Sequence, residues 1–564
     1  MCSTFVGRLG RAALACFLAV GFLRAEDYTC TDTGAGLVIT GYSGGGGEVT
    51  IPSMIGGVPV VGIGDFAFLD CANVTNLIIP DSVARIGYEA FEYCSGLTNV
   101  TLGSGIASIG RNAFFGCGNI GHVTFRGIPE TIEDWEGMAR SMSSVFDSPA
   151  YEVEIAEGVT RIRKCAFMNC GGMTAVTVPA GVTNIGDCAF EFCTALAEVS
   201  VPEGVSEMGE FCFGQCSGLR SVTVPDSVVR VGPYAFYECA GLEDVTLGSG
   251  IASIGRNAFF GCGNIGHVTF RGIPETIEDW EGMALSMSSV FDSPAYEVEI
   301  AEGVTRIRKC AFEDCGGMTA VTIPSGVADI GDMAFAGCRA LAAVTVPAGV
   351  TNIGDCAFEF CTALLRVAIP ASVARVGVGA FSLCRQLMAI EVAESNTHFA
   401  SLDGVLMNKE MTSLIQWPGG KEGLFTVPAS VSQIADYAFA NDVGPVSLYF
   451  KGDAPSVGEN TFNIDGLWIY YASTSVGWGD ALGGYRTTLW NPQVLSGSIG
   501  VTEDGFGFVI SNAGSPVVVV EACTNLSGAS WDPVSTNVLS GGSSGFRDSE
   551  WRSHASRFYR FRMP

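Results

Sequence analysis

Apolar positions along most of this chain recur every 23 residues. Twelve cysteines mark the period: Cys71, Cys94 and Cys117; Cys170, Cys193, Cys216, Cys239 and Cys262; Cys315, Cys338, Cys361 and Cys384. Two steps, Cys117 to Cys170 and Cys262 to Cys315, are 53 residues instead. A phenylalanine stands three residues before each cysteine, and an Ile, Val or Met five residues before that, as in Ile63, Ile86, Met208 and Val376. Within residues 171–193, Val176-Thr177-Val178 alternates as a half-buried strand does. Pro179 ends it because proline removes a ladder donor. Gly181 turns the chain to Val182 and Ile185, two apolar positions at helix-like spacing, and Gly186 permits a reversal before Ala189, Phe190 and Cys193. The unit thus predicts one short strand and one turn or short helix. It is too small to bury its own apolar face, so neighbouring units must stack into a repeat solenoid.

This pattern, with Ile79-Pro80, Val83, Ile86-Gly87, Ala90-Phe91, Cys94 and Leu97 as a clear example, resembles the BspA-like (type 5) leucine-rich-repeat family. The resemblance covers most of the chain. It implies a leucine-rich-repeat solenoid with one short parallel strand per coil. It also implies a bacterial surface or secreted protein that binds extracellular proteins or glycans.

Whole coils have been copied in register. Residues 100–139 recur letter for letter at 245–284, 145 residues on, and residues 180–196 recur at 348–364, 168 residues on. Duplication of this kind extends a surface more readily than it assembles a unique catalytic centre. The two long steps place inserts near 127–156 and 272–301. Pro129 and Pro274 read as the first residues of short acidic helices carrying Trp135 and Trp280. Trp is enriched at binding hot spots, although it also pins loops onto their own scaffold.

Outside the repeats, residues 26–60 read as an N-terminal β cap, with Leu37–Thr40 and Val49–Ile51 as strands around a glycine turn. The solenoid runs over 61–445 and a closing repeat over 446–490. Residues 491–564, with candidate strands at Phe506–Ile510, Val517–Val520 and Arg557–Phe561, form a small all-β, sandwich-like module. Residues 1–25 read as a signal peptide: Arg8 and Arg11 precede an apolar run over 12–23, with a cleavage site after Ala25. The expected location is therefore secreted or cell-surface. No later stretch is apolar for eighteen residues, so no transmembrane span is expected in the mature chain.

Asp plus Glu outnumber Lys plus Arg by 58 to 30, for a net charge of −28, which argues against nucleic acid and anionic membranes as partners. The periodic cysteines predict free, buried thiols. Equivalent side chains of stacked parallel strands, roughly 4.8 Å apart, point the same way rather than toward each other. Cys165, Cys188, Cys212, Cys310 and Cys356 lack zinc-site spacings, and no metal or cofactor is expected.

Only four histidines occur, His122, His267, His398 and His554, and no nucleophile elbow or dinucleotide fingerprint appears. An enzyme is not expected. The strand face carries a stripe of Thr101, Thr124, Thr177, Thr223, Thr246, Thr269, Thr322 and Thr345, interrupted by Ser200. Thr177, Thr223, Thr246 and Thr269, with Trp135 and Trp280, are the candidate binding residues; β-propensity alone also favours threonine there. The sequence-level reading is a non-catalytic adhesion or binding protein. The alternatives are a structural surface component and, last, a carbohydrate-active enzyme.

Overall fold

Residues 171–193 trace one coil. Met173–Thr177 pairs in parallel with Tyr151–Ile155 before it and Glu198–Ser200 after it. Asn184–Ile185 is a second, two-residue strand between Arg161–Ile162 and Glu207–Met208. The spacing of Val182 and Ile185 is therefore not helical: Val182 follows the turn at Ala180 and Gly181, donating its N–H to the Pro179 carbonyl at 3.1 Å, and Ile185 lies in this second ladder. Gly186 follows directly, where a Cβ would come within 2.7 Å of the Lys164 backbone nitrogen.

The third side of the coil is held by backbone as well. Cys188 and Phe192 adopt left-handed φ values of 53° and 61°. For residues with a Cβ this costs about 1–2 kcal/mol each. The conformation turns their N–H groups toward the next coil, where they donate to Glu210 and Gly214 carbonyls, with Phe190 donating to Cys212 between them, all at 2.8 Å. Inside, Val182, Ile185, Ala189, Phe190 and Cys193 are fully buried. The Phe190 ring stacks on Phe167 at 5.3 Å and on Phe213 at 5.1 Å, nearly coplanar with both.

The computed structural model describes residues 22–25, 27–133, 142–274, 276–278, 286–441, 444–514, 516–526 and 530–564. Most of the signal-peptide reading lies outside them. The chain forms two units, one ending with Leu285 plus Ser289–Tyr296, the other comprising Ser286–Ser288 and Glu297–Pro564. Each contains a β-solenoid of stacked parallel coils, and the second also carries the C-terminal module.

In the first unit, Tyr28–Asp32 and Leu37–Tyr42 pair antiparallel, and Leu37–Tyr42 passes the register in parallel to Val58–Ile63. Tyr42 stacks on Phe68 at 4.8 Å, which closes the phenylalanine column. Gly47–Thr50 is already a rung, parallel to Val74–Ile78, rather than an arm of the cap hairpin.

The first 53-residue step resolves into two coils. His122–Phe125 and Tyr151–Ile155 are consecutive rungs of the main ladder. Phe146 occupies the phenylalanine column, stacked on Phe114 at 5.1 Å. Ser148 is buried and donates to the Ile120 carbonyl at 2.7 Å. Thr131–Glu133 is a rung of the second ladder, parallel to Ser108–Gly110, and Thr276–Glu278 pairs likewise with Ser253–Gly255. Neither segment starts a helix. Trp135 and Trp280 lie outside the described residues.

In the second unit, coils continue through Arg366–Ile369 and Ala389–Val392. The antiparallel strands Phe399–Leu402, Val405–Asn408 and Ser413–Gln416 interrupt them. Four parallel rungs follow, Gly423–Val427, Pro445–Phe450, Trp468–Ala472 and Tyr485–Trp490. The C-terminal module has two antiparallel sheets, one centred on Gly505–Ser511 and one on Val517–Cys523. Phe508, Ile510, Val518, Val520, Leu539 and Phe546 form its core. It docks on the last rungs: Val517 donates its N–H to the Tyr449 hydroxyl at 2.6 Å, and Thr426 bonds the Pro564 carbonyl.

Candidate binding face

Alternation along each rung of the main ladder sends every second side chain outward. In Tyr151–Ile155, Tyr151, Val153 and Ile155 are buried while Glu152 and Glu154 are exposed. The parallel register then lines equivalent residues into columns. Thr101, Thr124, Glu154, Thr177 and Ser200 are successive Cα partners across five rungs. Thr223, Thr246 and Thr269 form a second such run. Thr177 and Thr223 are exposed, and Thr246 and Thr269 half-buried. All four predicted threonines therefore reach the outer face of the main ladder, in two registered runs.

A neighbouring column holds Asn99, His122, Glu152, Ala175 and Glu198. His122 meets both carboxylates of the next rung: Nε2 lies 3.4 Å from Glu154 Oε2, and Nδ1 lies 3.9 Å from Glu152 Oε2. Thr124 donates to the same Glu154 oxygen at 3.3 Å. Further along, an open groove of about 590 Å³ is lined by Glu243, Asp244, Asn264, Gly266 and His267. The Thr269 hydroxyl lies 3.3 Å from His267 Nε2 at its edge.

Glu152 and Glu154 were missed as partners of this face because they fall inside the long step. The alternation Tyr-Glu-Val-Glu-Ile at 151–155 was the available signal. It recurs at 296–300, because residues 141–167 are repeated unchanged at 286–312. The face thus presents hydroxyls, imidazole and carboxylates, which hydrogen-bond polar partners and attract cationic ones. Among the described residues, no group of three or more His, Cys, Asp or Glu is placed to hold a metal ion.

The pattern of the BspA type leucine rich repeat region matches residues 61–144, 160–290 and 284–402, in six copies. The chain belongs to this BspA-type leucine-rich-repeat family. No curated protein matches it. Among solved structures, a leucine rich cell surface protein from Faecalibacterium prausnitzii is 26% identical, with a TM-score of 0.27, covering 67% of this chain and 96% of its own. A leucine-rich repeat protein from Bacteroides ovatus is 23% identical, with a TM-score of 0.33, covering 66% of this chain and 95% of its own. BspA-type units explain the repeated rungs, and their outward columns are where copies of the repeat differ in chemistry. Among the described residues, no helix is long and apolar enough to cross a membrane.

Proposed function

We propose that this BspA-type protein is an exported, non-catalytic binding protein that engages extracellular proteins or glycans through the outer face of its main ladder. The observation that carries this reading is the registered column of Thr101, Thr124, Glu154, Thr177 and Ser200. A flat, polar, repetitive face gains affinity by repeating a weak contact along a rigid body. The test is capture of extracellular matrix proteins and glycans by the full chain, compared with Thr177→Lys and Thr223→Lys together. Loss of capture with unchanged thermal unfolding supports the sheet face.

The copied segments 100–139 and 245–284 support a second site at Trp135 and Trp280. If that site dominates, replacing both tryptophans by Ala abolishes capture while the threonine variants bind normally. Retained capture in both sets of variants would leave neither site standing.

A further inference from the structure

The left-handed residues on the third side of the coil bring sulfur together away from the sheet face. Cys165 and Cys188, one period apart, hold φ values of 55° and 53°, and both are half-buried. Backbone binds their coils to each other there: Cys165 donates its N–H to the Asp187 carbonyl at 2.9 Å, and Phe167 donates to the Ala189 carbonyl at 2.8 Å. The rings of Phe167 and Phe190, two residues on from each cysteine, stack at 5.3 Å. Among the described residues, this is the one pair of half-buried thiols at equivalent places in consecutive coils. Cys310 repeats Cys165 in the copied segment 286–312, but the following coil carries Met333 where Cys188 stands.

Spacing decides what such a pair can do. Equivalent side chains of stacked coils point the same way, and two sulfurs one rung apart, roughly 4.8 Å, are too far for a disulfide bond of about 2.05 Å. The gap matches two metal–sulfur bonds of about 2.3 Å laid end to end. Side chains at this repeat position also lean toward the next coil. Cys356, two periods after Cys310, has its Sγ 3.5 Å from the place that a Cβ on Gly379, one period further, would take.

From this geometry we propose that Cys165 and Cys188 bind one soft monovalent cation, Cu(I), between their sulfurs. Thiolates select soft ions. Two donors complete a linear ion but leave zinc, which takes four ligands, unsatisfied. Uptake replaces two S–H bonds by two metal–sulfur bonds and releases two protons to solvent, so the bridged pair carries one negative charge. Lys164 supplies the counter-charge: its ammonium lies 3.5 Å from Asp187, which chiefly holds its pKa up, and it also feels Cys188 and Cys165. Burial, with Glu191 beside it, pushes the Cys188 thiol up to about 12. The metal therefore displaces a proton there rather than meeting a free thiolate.

The experiment titrates the reduced full chain, without oxygen, with the coloured Cu(I) complex of bicinchoninate and reads the metal withdrawn from it. The expected result is one tightly held equivalent, with two sulfur neighbours around the metal by X-ray absorption. Cys165→Ser and Cys188→Ser each abolish the uptake, whereas Cys310→Ser, which alters the Cys–Met counterpart, leaves it intact. Melting temperatures are recorded for every variant. If either serine substitution unfolds the chain, the sulfur count and the Cys310→Ser result decide the matter. Failure to withdraw Cu(I), uptake untouched by Cys165→Ser and Cys188→Ser, its loss on Cys310→Ser, three or more sulfur neighbours, or Zn(II) held as tightly as Cu(I) overturns the proposal.

Discussion

The thiol of Cys239 donates to the carbonyl of Phe213, 3.0 Å away in the preceding coil. The same contact recurs from Cys94 to Phe68, Cys117 to Phe91, Cys193 to Phe167, Cys216 to Phe190 and Cys262 to Phe236, at 3.1–3.2 Å. In the second unit it runs from Cys338, Cys361 and Cys384 to Phe312, Phe335 and Phe358. Cysteine suits this position because it is small and apolar enough for the core yet carries a weak donor for a carbonyl that the coil leaves facing inward.

Replacing Cys239 by Ala removes that donor and opens a small void. The expected cost is about 1–2 kcal/mol. Cys71 belongs to the first coil, is half-buried, and approaches the Leu69 carbonyl at 3.9 Å, longer than the thiol contacts of the later coils. Cys71→Ala should cost less than about 0.5 kcal/mol. Denaturant unfolding of both variants checks the difference, and equal losses would mean the thiol ladder contributes nothing beyond packing.

Thiol reactivity should follow the same geometry. Burial pushes Cys361 and Cys170 up to about 12, so at pH 8 they hold their protons and are poor nucleophiles. Native alkylation followed by mass spectrometry should label half-buried Cys165 and Cys310 first and reach Cys361 only after denaturation. A peptide cross-linked between Cys193 and Cys216 would contradict the free-thiol structure.

Excising residues 194–216 removes one period and brings Phe190 against Phe236, with every ladder kept in register. A folded, shorter solenoid is expected. Removing only half of the period shifts the alternation, exposes core positions and leaves left-handed turn residues without carbonyl partners. Circular dichroism melts should show cooperative unfolding for the first deletion and its loss for the second; similar melts for both would argue against stacking as the source of stability.

Acid should loosen the C-terminal module. Burial alone would raise the Glu521 carboxyl, but hydrogen bonds and charge from Arg560 and Arg562 outweigh it and hold the group below the ordinary carboxylate value. A depressed folded value means the contribution is present above the unfolded pKa of about 4.3 and is lost as pH falls through the folded one. Stability of the module should therefore decline below about pH 4. Glu521→Gln should be less stable at pH 7 and show a flatter acid limb; an unchanged pH profile would remove Glu521 from the account.

The 23-residue period, the buried Phe and Cys columns and the outward threonines were legible in the sequence, because strand alternation and stacking translate directly into residue spacing. The second ladder was not. Two-residue strands such as Asn184–Ile185 carry too few positions for a period and form only when the neighbouring coil supplies their partners. Nor was it legible that a 53-residue step carries two consecutive rungs of the main ladder. Phe146 takes the place of the usual phenylalanine from a different spacing, and only its stacking on Phe114 reveals that place. The contact of His122 with Glu152 and Glu154 likewise depends on which strands become neighbours. The sequence by itself determined which residues face inward and which outward, since that is a local matter of backbone alternation. Which outward residues meet was decided by the tertiary structure, because cross-strand register is set by inter-coil hydrogen bonds between residues far apart in the chain.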